Sequence, residues 1–363
     1  MRKSLRLAVI LVIFSGQAFA AKGKKGAPAQ PASTMDQGDP VEKELSEKKA
    51  AAPKPETEAE VAQREAQADA AQVAKRRARN KVGMFADVLV GFGKAPLPGP
   101  GANETTGSTT SGTFMVGGYY DLSPDFTLGA RLPWTIGSAR QLDGDQATVQ
   151  ALGALELMGE YRLNLSPFTR LPISFGLGLP TAAGNYNEND PTSLRQMELN
   201  AMADAASGYR DPELFGPKRL PLIAGVGIDY QRKALSLRAA TKFVFGIKVG
   251  GELSTTQVPA GTFELKPVTF RNVTSAGISY DFLERPYLFG AFDTWLAYSA
   301  INAVEFESAM GAAPPTRFQV VFEPRIGARF GKISPSVGYI FPIGGRLADA
   351  GTSGLELRCD FAF

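Results

Sequence analysis

Any chemistry in this chain has to be done without histidine. None occurs among its 363 residues, which removes the commonest general base, metal ligand and triad partner. The single cysteine, Cys359, has no internal disulfide partner and sits on the apolar side of an alternating run, as a small hydrophobe would. We therefore expect no catalytic residue, no cofactor, no metal site and no enzyme activity. What remains are charges spaced by even numbers inside runs that are otherwise oily. Arg238, Lys242, Lys248 and Arg271 share one face of two neighbouring runs and form a coherent basic stripe, able to draw anionic solutes through a passage. Asp87, Arg131, Glu156, Glu160, Asp293, Glu323, Arg325 and Arg329 take the same side of other runs, as do Glu356, Arg358 and Asp360. Inside a soluble core such charges would be ruinous. If consecutive runs pair, Arg131 can face Glu156 or Glu160, and Asp293 lies between Arg271 and Arg325. Inward glycines such as Gly117, Gly277, Gly327 and Gly338 leave room beside them. A salt-bridged interior and a water-filled passage both fit.

The elements that position these charges are short strands of period two. Val82, Met84, Ala86, Val88, Val90 and Phe92 form the oily face of the first, with Phe85, Asp87 and Gly91 opposite. The same texture recurs around Phe114, Phe126, Leu155, Leu171, Leu222, Leu235, Phe270, Phe318 and Ile333, less cleanly around Phe289 to Tyr298, and last at 355–363. That makes about twelve strands, with ten or fourteen also possible. Short links at 122–125, 164–170, 231–234, 283–286 and 331–332 alternate with long ones, and Tyr120, Tyr161, Tyr230, Tyr280, Phe282, Tyr287 and Phe330 flank the short links. An antiparallel up-and-down β-barrel has this rhythm, and closure removes the edges and satisfies backbone groups in lipid. Pro324, in the middle of its strand, lacks a ladder donor and implies a bulge.

The run 355–363 carries Leu355, Leu357, Cys359, Phe361 and Phe363 on one side and ends on an aromatic residue. It resembles the carboxy-terminal strand of Gram-negative outer-membrane β-barrels. That resemblance implies that Leu355, Leu357, Phe361 and Phe363 form an assembly signal read by the barrel-assembly machinery. More narrowly, LGLPTAAGN at 177–185 is similar to the outer-membrane family associated with uptake of phenolic and other hydrophobic compounds, with Ala182 where that family usually has Gly. The resemblance implies hydrophobic uptake.

Around this barrel, residues 1–20 have a basic start, an apolar run and small residues at Ala18 and Ala20, which reads as a secretory signal peptide. Taking Arg2, Lys3 and Arg6 away with it leaves acids and bases in balance, so no nucleic-acid surface is expected. Residues 21–54, rich in Ala, Lys, Pro and Glu, read as a disordered tether, and 55–80 as an Ala-rich helical segment with only Val61 and Val73 to pack. Its end, Lys75 to Arg79, is either a solvated helix terminus or a cationic plug. Residues 81–363 form the barrel. The long connection 180–219 carries an expected helix, with Asp190 and Pro191 at its start, Leu194, Met197, Ala201, Met202 and Ala205 on one face, and Gly208 at its end. It either caps the rim, folds into the mouth as a constriction, or seats a hydrophobic substrate beside Tyr186, Tyr209 and Phe215.

The function expected from these features is an outer-membrane channel or transporter for passive passage of small solutes, hydrophobic or anionic, with its N-terminal segment in the periplasm and the lipid bilayer as its partner. A non-conducting barrel whose tail binds cell wall or a partner is the alternative, and an autotransporter translocator a weaker one. The solute and the oligomeric state are not legible.

Overall fold

Twelve wall positions pair in chain order, and the last strand closes on the first. The computed structural model describes residues 57–77, 81–94, 108–140, 146–184, 191–250, 263–284, 287–302, 304–306 and 317–363, and Thr57–Phe363 form one unit. The expected signal peptide (1–20) and tether (21–54) lie outside the described residues. The strands are β1 (Val82–Lys94), β2 (Ser108–Ser123), β3 (Phe126–Arg140), β4 (Gln146–Leu152), β5 (Leu155–Asn164), β6 (Thr169–Leu179), β7 (Arg219–Arg232) and β8 (Leu235–Lys248). They continue as β9 (Phe263–Leu265), β10 (Val268–Glu284), β11 (Tyr287–Ile301), β12 (Val304–Phe306), β13 (Phe318–Arg329), β14 (Ile333–Gly344) and β15 (Ser353–Ala362). β4 and β5 share one wall position, pairing with the upper and lower parts of β3 on either side of Gly153 and Ala154. β9 and β12 form a separate small ladder beyond β10 and β11. The ring is thus a closed antiparallel barrel of twelve strands, sealed by β15 on β1 from Gly83↔Ala362 to Phe92↔Ser353.

Alternation sets which side is which. Val116, Leu128, Leu157, Phe175, Ile228, Phe245, Ile278, Ile326 and Leu357 are exposed on the outside, while Asp87, Glu156, Glu323 and Glu356 are buried inside. An oily exterior over a charged interior, with every ladder closed, is the transmembrane barrel plan. Tyr120, Tyr161, Tyr280, Phe282, Tyr287 and Phe330 are exposed next to the short turns. No described helix is long and apolar enough to cross a membrane.

Three expectations change in detail. Pro324 produces no register shift. Phe322↔Phe341 and Arg325↔Gly338 keep one register, the bridges between them are missing, and the shift lies at Val320/Val321 instead. The missing donor is absorbed as a gap in the ladder. The irregular β11 turns Phe289 and Trp295 inward: Arg329 covers the Phe289 ring and Trp295 is 2% exposed. The inward glycines do not open space. A Cβ at Gly117 would run into the Phe85 ring, at Gly277 into Asp293 and at Gly338 into Glu323, so neighbouring side chains already fill that room.

Among the described residues three α-helices accompany the wall. α1 (Glu58–Arg77) opens on a reciprocal capping box, in which the Thr57 amide donates to Glu60 (2.9 Å) and the Glu60 amide to the Thr57 hydroxyl (3.3 Å). It touches the barrel beside the β7–β8 turn, with Val73 buried and Asp69 3.5 Å from Arg232. The side chains of Lys75 to Arg79, expected as a helix terminus or a cationic plug, lie outside the described residues. α2 (Pro191–Ala206) belongs to the long connection, and the short α3 (Arg346–Ala350) follows β14, with the Leu347 amide donating to Gln319 at 2.9 Å.

Candidate functional site

The long connection 180–219 does not stop at the rim. It enters the barrel and lies against inward residues of nearly every wall strand. α2 ends where Gly208 takes φ +66°, a conformation glycine adopts without strain, and this turns the chain across the lumen. The turn packs closely: a Cβ on Gly208 would touch Trp295 and Val321, and the Trp295 indole donates to the Gly208 carbonyl at 2.8 Å. Further round the same side of the barrel, Ala206 sits so close to Gly91 and Gly354 that neither could carry a side chain. Leu89, Ala206, Val273, Trp295, Ala297, Val321 and Ile340 form one buried core inside the barrel, flanked by Tyr209. Met115, Ala203, Leu214 and Phe215 form a second, with Phe85 against it.

Met197 and Met202 are buried in this plug and Ala201 partly so, while the side chain of Leu194 and all of Tyr186 and Asp190 lie outside the described residues. The helix is not half solvated. Glu198, Asn200 and Asp204, on what should be its polar side, are as buried as the apolar residues. The Asn200 amide nitrogen donates to the carbonyls of Ala183 (2.9 Å) and Leu152 (3.3 Å).

Charge pairs complete the seat. Arg210 reaches Glu323 (3.0 Å) and Glu356 (2.9 Å) on the wall and Asp211 (3.2 Å) beside it, with Trp295 under its guanidinium. Arg131 holds Glu156 (2.7 Å), Asp211 (2.9 Å) and Glu213 (2.7 Å). Lys242 bonds Glu213 (2.7 Å), Asp211 (3.2 Å) and the Arg210 carbonyl (2.9 Å), and Arg271 bonds Asp204 (2.7 Å). Burial pushes the Asp211 carboxyl up, but Arg131, Lys242 and Arg210 outweigh it and hold the group well below the usual range. For Asp204 burial wins over Arg271, and its carboxyl is raised.

Lys242 and Arg271 of the expected basic stripe therefore face acids of the plug, while Arg238 lies 3.3 Å from Asp293 and Lys248 stands exposed at the end of β8. Arg131 meets Glu156, as one of the two sequence alternatives has it. Asp293 pairs with Arg238 rather than with Arg271 or Arg325. Glu160 pairs with Arg162 (2.6 Å), Arg325 with Glu323 (2.5 Å) and Arg329 with Asp281 (3.2 Å). Asp87 is buried beside Glu356. The residues that sequence reading missed are Asp204, Arg210, Asp211 and Glu213. No periodicity marks them, and the only signal is the density of charge in 210–213 next to Phe215 and Tyr209.

Below the plug, on the short-turn side, lie two cavities of about 360 and 560 Å³ that share Glu160, Asp229, Arg238, Asp293 and Arg325. The larger adds Arg162, Arg170 and Arg329, so arginine outnumbers acid on its walls. Among the described residues no group of acids and cysteine is arranged to hold a metal ion.

No family model and no curated protein matches this chain. Among solved structures it is similar to an outer-membrane channel from Pseudomonas putida F1, at 12% identity and TM-score 0.46, covering 77% of this chain and 95% of that one. It is also similar to the NanC porin (8%, TM-score 0.42, 77% and 100%) and to the translocator domain of the autotransporter NalP from Neisseria meningitidis (10%, TM-score 0.38, 83% and 96%). Likeness at these levels carries no argument about what this chain does.

Proposed function

We propose that this protein is an outer-membrane channel for passive passage of small solutes, in which the 180–219 segment is the filter and the short turns and α1 face the periplasm. One observation carries the reading: a closed barrel with an apolar exterior surrounds a charged vestibule that ends on a plug built from its own chain. The arginine excess of that vestibule favours anionic solutes, because a low-dielectric wall strengthens the field of fixed charges inside it. The test is current through planar bilayers. The mature protein is compared with a variant in which 185–217 is replaced by a short Gly-Ser linker. Steady conductance that rises in the variant, with preference for anions, supports the channel. Absence of current in both, from correctly folded barrels, overturns it and favours the non-conducting barrel, a reading supported by the burial of the plug on all sides.

A further inference from the structure

The plug seats on more negative charge than positive. Around Arg210 three wall carboxylates, Asp87, Glu323 and Glu356, meet two guanidinium groups, Arg210 and Arg325. The nearby Arg358 is turned away, bonded to Asp360 at 2.9 Å and stacked over Phe85. Around Asp211, the carboxylates of Glu156, Asp211 and Glu213 meet Arg131 and Lys242, with Arg210 shared between the two clusters, so that six carboxylates face four cations. Only Asp204 and Arg271 balance one to one. Tyr209 lies under Arg271, close enough to Arg346 of α3 to feel its charge. All seven carboxylates are buried, and Asp87, Glu356, Glu156, Glu213 and Asp204 each leave one oxygen with no hydrogen-bond partner among the described residues.

Buried acids in excess of their cations cannot all remain ionised without a large desolvation penalty. A proton shared within each three-acid cluster removes the excess and converts an acceptor-only oxygen into a donor. When the segment leaves the lumen, these carboxylates regain water and the protons are released. We propose that seating the plug takes up about two protons, so that the passage is closed in mild acid and released as the pH rises.

The sign follows from linkage. Asp204, raised by burial, contributes seat stability that is complete below the ordinary carboxylate range and is lost as pH rises through its raised value. Asp211, held low by Arg131, Lys242 and Arg210, acts oppositely, but its contribution is lost only as pH falls through its depressed value, in strong acid. Across mild acid to mild base the proton-binding groups set the direction.

The inference rests on the channel reading for its conductance readout, so plug position is also measured without current. Trp295 bonds the plug at Gly208, whereas the other tryptophan, Trp134, faces outward. Trp295 fluorescence, in a Trp134→Phe background, and proteolytic cleavage within 191–218 are followed in the full mature protein from about pH 5 to about pH 9. Release that grows with pH, by up to about tenfold per pH unit for each proton, is the expected result. Asp87→Asn and Glu156→Gln, which fix the neutral form, should each flatten that slope and keep the plug seated at high pH. Release that grows toward acid overturns the proposal. So does a flat profile in the unsubstituted protein, or a profile set by added sodium or calcium at fixed pH. A pH-dependent plug in a barrel that never conducts would sink the channel and leave the proton linkage standing.

Discussion

The wall and the plug of this barrel are held by opposite means. Wall strands are joined by ladders with few register shifts and short gaps such as the one at Pro324, and their outward side chains carry no charge along Val82 to Phe92, β2 or β15. The plug has no ladder with the wall. It is seated by the small Leu89 to Ile340 core, by a few side-chain bonds to backbone, and by charge pairs spread over β3, β8, β10, β13 and β15. Ladders and apolar contact with lipid resist local change because each bond is backed by its neighbours. Buried charge pairs are less forgiving, since taking one partner away leaves the other desolvated and alone. The wall should therefore be the permanent part and the plug the conditional one.

The sharpest way to break that comparison is Arg210→Ala. It takes from Glu356 its one close cation and from Glu323 and Asp211 one of theirs, and we expect a loss of about 3–5 kcal/mol from plug seating while the barrel stays folded. Trp295 fluorescence and cleavage within 191–218 read the first, and resistance of the barrel band to unfolding in cold detergent reads the second. If the barrel fails together with the plug, the two are one cooperative unit and the contrast is gone. Leu357→Arg attacks the wall from outside and should cost about 2–4 kcal/mol of barrel stability if it lies near the bilayer midplane, seen as an earlier midpoint of urea unfolding from vesicles. Plug position should not respond to it at low urea.

Gly208→Leu tests the close approach of plug and wall. The new side chain meets Trp295 and Val321 in a backbone conformation that favours glycine, so about 1–3 kcal/mol of seating should be lost, with a shift in Trp295 emission. The smallest effect is expected outside the lumen. Asp69→Asn removes contacts to the well-exposed Arg232 and Lys233, worth about 1 kcal/mol or less and screened by salt. Amide hydrogen exchange of α1 should quicken in the variant at low ionic strength and match the unsubstituted protein at high ionic strength.

The fold was legible because lipid imposes a simple rule. An outward position must be oily and the next one need not be, so Val82 to Phe92 or Phe126 to Ile136 announce both a strand and its facing. Eleven of the twelve wall positions can be read in this way. Where the rule relaxes, reading degraded. β4 and the small pair β9 and β12 lie toward the long-loop end and carry no sustained alternation, and β11 breaks the pattern because Trp295 serves the plug rather than the lipid.

Inside the barrel, sequence determined which residues face the lumen but not what they meet there. Alternation put Lys242 and Arg271 on the inner side, and strand pairing suggested Arg131 with Glu156. Only the tertiary structure showed that Asp204, Asp211 and Glu213 come from 180–219 to face them, because these partners are separated by tens of residues and the helical period of 191–206 says nothing of which wall charge each acid meets. The same physics explains both halves. The bilayer is one partner common to every outward residue, so its demand is written locally along each strand. A charge in the lumen is satisfied by one particular group brought from elsewhere in the chain, and that choice exists only once the chain has folded.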